Sequence, residues 1–266
     1  MAKKRLDILM MEQGLADSRQ RAQAMIMAGQ VYIGSQRYDK AGAQVEENAV
    51  LQVRGNELRY VSRGGLKLEK ALSQFPLVLE GTVAADIGAS TGGFTDCMLQ
   101  HGAKRVYAVD VGYGQLAWSL RQDARVVCLE RTNARYLTTE IIPEPLQFAS
   151  IDVSFISLNL ILPAIRSLMA PEGQIVALIK PQFEAGKEKV GKNGVVRDSN
   201  VHLEVLEHIF LYAQHADLSI AGLTWSPVRG PKGNIEYLGW LTVGGGQSGQ
   251  YDLQELVRCS HESLGG

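Results

Sequence analysis

Between residues 83 and 243, short apolar runs alternate with stretches whose apolar residues recur at helical spacing. The runs 83–87, 105–110, 125–129, 147–153 and 174–179 are dense in Val, Ala, Ile and Leu, as strands buried on both faces require. Helical spacing marks 66–75, 93–101, 114–121, 157–169 and 200–214. This alternation predicts an α/β domain with a doubly wound, mostly parallel sheet and helices on both faces. Two further runs, 218–226 and 235–243, have no convincing helix between them and predict a terminal antiparallel hairpin. The first sixty residues follow another pattern. Leu6, Leu9 and Met10 make one helical face, ended by Gln13-Gly14. Asp17-Ser18 can cap a second helix carrying Ala22, Met25, Ile26 and Ala28, which Gly29 ends. Strands are expected at 31–33 and 49–53, and the polar stretch 54–62 serves as a connector. The expected organisation is a small α+β unit over 1–60, a large α/β domain over 61–246 and a tail over 247–266. Gly244-Gly245-Gly246 introduces that tail, whose helix-like stretch 253–264 reads as a loosely packed terminus or an extension.

The chain has 266 residues, 45% of them hydrophobic, enough for one large and one small domain. A net charge of −1 means that any nucleic-acid surface must be a local patch. Cys97, Cys128 and Cys259 are scattered and lack metal-ligand spacing, so reduced thiols, a cytoplasmic location and no metal are expected. The start Met-Ala-Lys-Lys-Arg-Leu-Asp lacks the apolar run of a signal peptide. No stretch reaches the roughly 18 apolar residues of a membrane helix, so no membrane partner is expected.

The chemistry concentrates at predicted strand ends, where doubly wound sheets bind ligands. Residues 84–95 read Ala-Ala-Asp-Ile-Gly-Ala-Ser-Thr-Gly-Gly-Phe-Thr. An apolar approach reaches Asp86, which is expected to join the turn and Phe94 as a cofactor contact. Small residues follow at Gly88, Ala89, Ser90, Thr91, Gly92 and Gly93, and Phe94 begins a helix. Such a turn lets a ligand approach the backbone and the open N–H groups of the helix. Asp110, roughly 20 positions on, ends the next strand and can accept ribose hydroxyls. An adenosine cofactor is indicated, with NAD still open on this evidence. Asn133, past the third strand, can meet an adenine or cap a turn. Phe94, Tyr113 and Trp118 are expected to pack rather than to stack on bases. Asp152 and Lys180 end later strands, Glu236 lies in the last one, and Lys67 sits on the helix before the first. Buried charges are costly unless paired, and two lysines can pair with two acids.

Lys67, Asp152, Lys180 and Glu236, in that order around the glycine turn, resemble the Lys-Asp-Lys-Glu tetrad of FtsJ/RrmJ-type RNA 2′-O-methyltransferases. Residues 3–60 resemble an S4 RNA-binding domain, through Arg5-Leu6-Asp7, Gly14-Leu15-Ala16-Asp17-Ser18-Arg19 and Ala28-Gly29-Gln30-Val31-Tyr32-Ile33. With Ser62-Arg63-Gly64-Gly65 at the joint, the combination is similar to the TlyA family of rRNA methyltransferases, often labelled haemolysins. Ser90 stands where the common methyltransferase pattern has a second glycine. The resemblance implies a Rossmann-like S-adenosyl-L-methionine-dependent methyltransferase sheet. It implies a cytidine ribose in 16S and/or 23S rRNA of ribosomal subunits as the target. It places catalysis on Lys67, Asp152, Lys180 and Glu236, with Lys180 as the central base and Asp152 also near the cofactor. It makes Lys3, Lys4, Arg5, Arg19, Arg21 and Arg63 phosphate contacts. The basic loop 186–197 is either a flexible connection or a cover over RNA. Other readings are a pore-forming haemolysin and a non-catalytic RNA-binding factor in ribosome assembly.

Overall fold

The computed structural model describes residues 3–16, 18–27, 29–54, 59–230, 232–244 and 248–265; the expected roles of Asp17, Ala28, Gly245 and Gly246 lie outside the described residues. The chain divides into two compact units, 1–65 and 66–266.

The first unit opens with β1 (Lys3–Arg5), which runs directly into α1 (Leu6–Glu12), followed by α2 (Arg19–Met27). Then come β2 (Val31–Ile33), β3 (Gln36–Tyr38), β4 (Gln44–Glu46) and β5 (Leu51–Val53). β1 pairs with β4, while β2 lies between β3 and β5, all antiparallel. Leu6, Leu9, Met10, Ala22, Ile26, Val31, Val45 and Leu51 form the core. Gly29 ends α2 with φ +71°, and its N–H donates to Ile26 while Gln30 donates to Met25. β1, β3 and β4 leave no trace in the apolar pattern. Each has three residues, and among them only Val45 is fully buried, too little for a period-two signal.

α3 (Gly64–Gln74) leads into the second unit. Its elements are β6 (Val83–Ile87), α4 (Gly93–Gln100), β7 (Arg105–Val109), α5 (Trp118–Arg121), β8 (Val126–Leu129), β9 (Leu146–Ile151), α6 (Leu162–Arg166) and β10 (Met169–Ile179). They continue with α7 (Pro181–Glu184), α8 (Ser199–His215), β11 (Leu218–Trp225), β12 (Tyr237–Val243) and α9 (Leu253–Leu264). The described residues form a seven-stranded sheet in the order β11-β12-β10-β9-β6-β7-β8. β8, β7, β6, β9 and β10 run parallel, and β12 is antiparallel to both its neighbours.

Four expectations change. The helix expected over 114–121 is only α5. The helix expected over 157–169 is a 3-10 turn at Leu158–Leu160 capped by Ser157, then the short α6 opened by Pro163. Of the residues that extended the helical pattern, Leu168 lies in the turn into β10 and Met169 is the first residue of that strand, whose register shifts between Met169 and Gln174. The last two strands do pair antiparallel, but β12 inserts between β10 and β11, leaving β11 at the edge. Finally, the stretch expected as a loose tail is α9. It is capped by Asp252, buries Val257 and Ser260, and packs on α8 and β11.

Candidate active site

Strand register builds the site. Ile87 lies beside Ile151, and Ile151 beside Ala177, so the parallel strands β6, β9 and β10 finish at one edge. Antiparallel pairing sets Ile179 beside Tyr237, which brings the start of β12 to that edge. Asp152 follows β9, Lys180 follows β10, and Glu236 immediately precedes β12 rather than lying within it. α3 contributes Lys67.

These four side chains form one network. Lys67 Nζ donates to Glu236 Oε2 at 2.8 Å and lies 3.8 Å from Asp152 Oδ2. Lys180 Nζ is 2.5 Å from Asp152 Oδ1 and donates to Ser154 Oγ at 3.1 Å. Glu236 Oε1 also accepts from Gln182 Nε2 at 3.2 Å. Lys67, Lys180 and Glu236 are buried. Two cations and two carboxylates balance, which is what permits such burial. Burial alone would push the Asp152 carboxyl up; the charges of Lys67 and Lys180 outweigh it and hold Asp152 below the usual carboxylate range. Ser154 and Gln182 lie in the two segments, 152–157 and 180–184, that carry the family resemblance most specifically, but the sequence assigns neither a role of its own.

The glycine turn adjoins this network. Gly88 has φ +88°, and a Cβ there would stand 2.4 Å from the Asp152 carbonyl oxygen. Gly92, with φ +93°, precedes α4, and its missing Cβ leaves room for Leu116 and Leu120. Ser90 adopts φ +49° without being glycine. Asp110 accounts for this: its carboxylate accepts the Ser90 N–H at 2.8 Å and the Gly112 N–H at 2.7 Å. Ser90 and Thr91 are exposed, whereas Ala89, Gly93 and Phe94 are buried.

Asp86 departs from its expected role as a cofactor contact. It is buried, and its carboxylate accepts from Thr95 N at 2.9 Å, Thr95 Oγ1 at 2.7 Å and Ser150 Oγ at 3.1 Å. It braces β6 against α4 and β9. Burial pushes its pKa up to about 6 against the pull of those donors. Asn133 caps the 3-10 turn Ala134–Tyr136 by accepting the Arg135 N–H. Phe94 packs as expected, but Tyr113 and Trp118 are 70% and 65% exposed. The Arg131 guanidinium lies 4.4 Å from the centre of the Tyr113 ring.

Phe155 belongs to the same segment 152–157 and receives no role from the sequence. It is 89% exposed, with φ +64°, and its ring lies 4.9 Å from that of Phe183. Lys180 Nζ is 5.8 Å from the Phe183 ring centre. Glu184 ties this region together, accepting from Ser157 Oγ at 2.6 Å and Leu158 N at 2.9 Å. Burial pushes its pKa up.

In the first unit, several of the expected phosphate contacts have internal partners. Arg5 meets Asp7 through two bonds of 2.9 and 2.8 Å, Arg19 reaches it at 3.0 Å, and Gln23 at 2.9 Å. Asp7 is fully buried, and the Arg5 guanidinium above all holds its carboxyl well below the usual range. Lys4 pairs with Glu12 at 2.8 Å and Glu47 at 3.2 Å. Lys3 is exposed, Arg21 is half-buried on α2, and Arg63 is half-buried just before α3. Arg37 and Arg54 are exposed cations that the sequence did not single out; Arg54 lies 4.8 Å over the Tyr32 ring.

The family description "FtsJ-like methyltransferase" matches residues 60–243 and "S4 domain" matches residues 4–51, so α9 lies beyond both. The chain is 46% identical to the 16S/23S rRNA (cytidine-2′-O)-methyltransferase TlyA of Mycobacterium tuberculosis, over 89% of each chain. It is 41% identical to Hemolysin A of Brachyspira hyodysenteriae, over 90% of this chain and all of that one. A solved Streptococcus thermophilus structure, provisionally named a hemolysin, is 49% identical with a TM-score of 0.80, over 99% of this chain and 98% of that one. With its domain pair, sheet order and relatives in agreement, this chain belongs to the FtsJ-like methyltransferases, within the TlyA family.

Proposed function

We propose that the chain is an S-adenosylmethionine-dependent RNA ribose 2′-O-methyltransferase whose substrate is a cytidine in rRNA. The observation that carries this reading is the buried Lys67–Asp152–Lys180–Glu236 network beside the glycine turn. The turn suits a nucleoside cofactor. Gly88 leaves no Cβ between the backbone and Asp152, and Asp110 places acceptor oxygens at the end of β7. Residues 88–93, Asp110 and Asp152 would hold the cofactor, with Asn133 at its adenine side. Bound there, the cofactor supplies a methyl group on a cationic sulfur.

The chain's own task is to orient a ribose hydroxyl and take its proton. Lys180 Nζ is the acceptor once it has released to solvent the proton it carries in the ion pair with Asp152. Asp152, 2.5 Å away, stabilises the ammonium that forms, so its charge acts most on the transition state and product. Lys67 and Glu236, held at 2.8 Å, form a rigid donor–acceptor pair for the neighbouring sugar oxygens. Phe155, projecting into solvent beside Phe183, offers an aromatic face to the base of the target nucleotide. The first unit holds RNA through phosphates, with Lys3, Arg21, Arg37 and Arg54 beside the engaged Lys4, Arg5 and Arg19. The loop 186–197 carries Lys187, Lys189, Lys192 and Arg197 close after Lys180 and adds a local basic cover.

The test is incubation of purified ribosomal subunits with methyl-labelled S-adenosylmethionine, followed by mapping of the modified nucleotide. Label in one cytidine 2′-O-methyl supports the reading. Label in a base, or in protein, overturns it.

A further inference from the structure

Glu236 is carried by the connection 226–236 between β11 and β12. Backbone bonds between its described residues shape that connection. Ser226 N–H donates to the Glu236 carbonyl at 2.8 Å, and Gly230 N–H donates to the Asn234 carbonyl at 2.9 Å. Gly230 lies so close to the carboxylate that a Cβ there would stand 2.4 Å from Glu236 Oε1. Small movements of this segment therefore reach the carboxylate directly.

α9 grips the connection on both sides of Glu236. Upstream, Arg229 Nη2 donates to the Leu264 carbonyl at the end of the helix. Downstream, the Tyr237 hydroxyl lies 3.0 Å from Ser260 Oγ and 2.8 Å from His202 Nδ1. The proton arrangement follows from the fixed groups. His202 Nε2 is 3.1 Å from the Val196 carbonyl, which can only accept, so Nε2 carries the proton and Nδ1 accepts from Tyr237. The Ser260 hydroxyl then has one proton for two acceptors, the Tyr237 oxygen at 3.0 Å and the Val257 carbonyl at 2.8 Å, and shares it between them. Tyr237, His202 and Ser260 are all fully buried, so these bonds form without competition from water. The rings of His202 and His261 meet edge to face at 4.9 Å, adding a second contact between α8 and α9.

We propose that α9 is a positioning element for Glu236, holding its carboxylate between Lys67 and Gln182 while ribose methylation proceeds. This rests on the methyltransferase reading given above. Arg229, Tyr237 and Ser260 are positioning residues, since they act through the segment that presents Glu236. A displacement of about 1 Å at a reacting site can cost on the order of a hundredfold in rate. The 2.8 and 3.2 Å bonds of Glu236 leave no slack for one.

The test uses the full chain carrying Arg229→Ala with Ser260→Ala. Amide hydrogen exchange should be at least tenfold faster at Ser226 and Gly230 than in the parent, with β9 and β10 unchanged. Single-turnover methyl transfer to ribosomal subunits should fall at least tenfold. Cofactor affinity and the half-saturating subunit concentration should stay within twofold. Arg229→Lys, which keeps a donor for the Leu264 carbonyl, should retain most of the rate. If the double variant does not fold, Arg229→Ala alone takes the same measurements. Unchanged exchange at Ser226 and Gly230 overturns the proposal, as does faster exchange with an unchanged rate. A parent chain that methylates no RNA would overturn the methyltransferase reading, while the exchange measurement still decides whether α9 holds the segment.

Discussion

Lys180 and Arg differ in one respect that matters at this position: a guanidinium stays protonated and cannot accept a hydroxyl proton. Lys180→Arg keeps the charge beside Asp152, so the folded chain and cofactor binding should survive. Single-turnover transfer should drop by at least about a hundredfold, the scale of general-base catalysis. A rate near the parent's would mean that the lysine supplies charge alone. Asp86 gives a different prediction, one of stability. Its folded pKa of about 6 lies above the ordinary 3.8, so the folded chain binds this proton more tightly than the unfolded chain does. The resulting stabilisation is complete below pH 3.8 and is lost as pH rises through about 6. Asp86→Asn does not titrate. Relative to the parent, its stability should climb across that interval and level off above it, by on the order of 3 kcal/mol. Urea melts at a series of pH values measure this, and a difference independent of pH would contradict the shifted carboxyl.

Elements meet at this site through single side chains, so their coupling can be cut residue by residue. Glu184, on α7, accepts from Ser157 and Leu158 and so ties the segment bearing Asp152, Ser154 and Phe155 to the one bearing Lys180 and Gln182. Glu184→Ala leaves the Leu158 N–H without its acceptor, which should cost roughly 1–3 kcal/mol of stability. Methyl transfer should slow while cofactor affinity holds, as read by thermal melts, single-turnover assays and calorimetry together. Asp110 couples β7 to the glycine turn in the same manner. Asp110→Ala releases the Ser90 and Gly112 N–H groups and removes a ribose acceptor. Calorimetry should show S-adenosylmethionine binding weakened by roughly 1.5–3 kcal/mol. Unchanged affinity would place the adenosine elsewhere. These ties lay partly within reach of the sequence. The strand-end position of Asp110 was legible, but its use as an acceptor for the turn was not, because that bond joins residues 20 apart.

For the whole molecule, a net charge of −1 makes RNA binding depend on a local cationic surface and hence on salt. Binding to ribosomal subunits should weaken steadily as salt rises. Arg37→Ala and Arg54→Ala should each reduce the salt slope by about one while leaving the fold intact. Arg5→Ala and Arg19→Ala should behave otherwise, since both guanidiniums neutralise the buried Asp7. They should lower the melting temperature of the first unit as well as RNA binding. Melting curves read beside filter-binding titrations separate the two effects.

Much of the large unit was written in local pattern. Unbroken apolar runs mark strands buried on both faces, and a charge at the end of such a run must lie at the sheet edge. Asp152, Lys180, the glycine turn and Asp110 are legible in this way from the sequence alone. Local pattern has no access to pairing between distant strands. Only the tertiary structure set β12 between β10 and β11, joined Lys67 to Glu236 across 169 positions, and turned Asp86 inward to Thr95 and Ser150. It alone left Tyr113 and Trp118 in solvent, and it made a packed helix of a stretch whose polar lead-in read as a tail. The physical reason is common to all of these. A residue's own neighbours decide whether it favours strand, turn or helix, but its partners in ion pairs and its exposure depend on which surfaces the sheet brings against it.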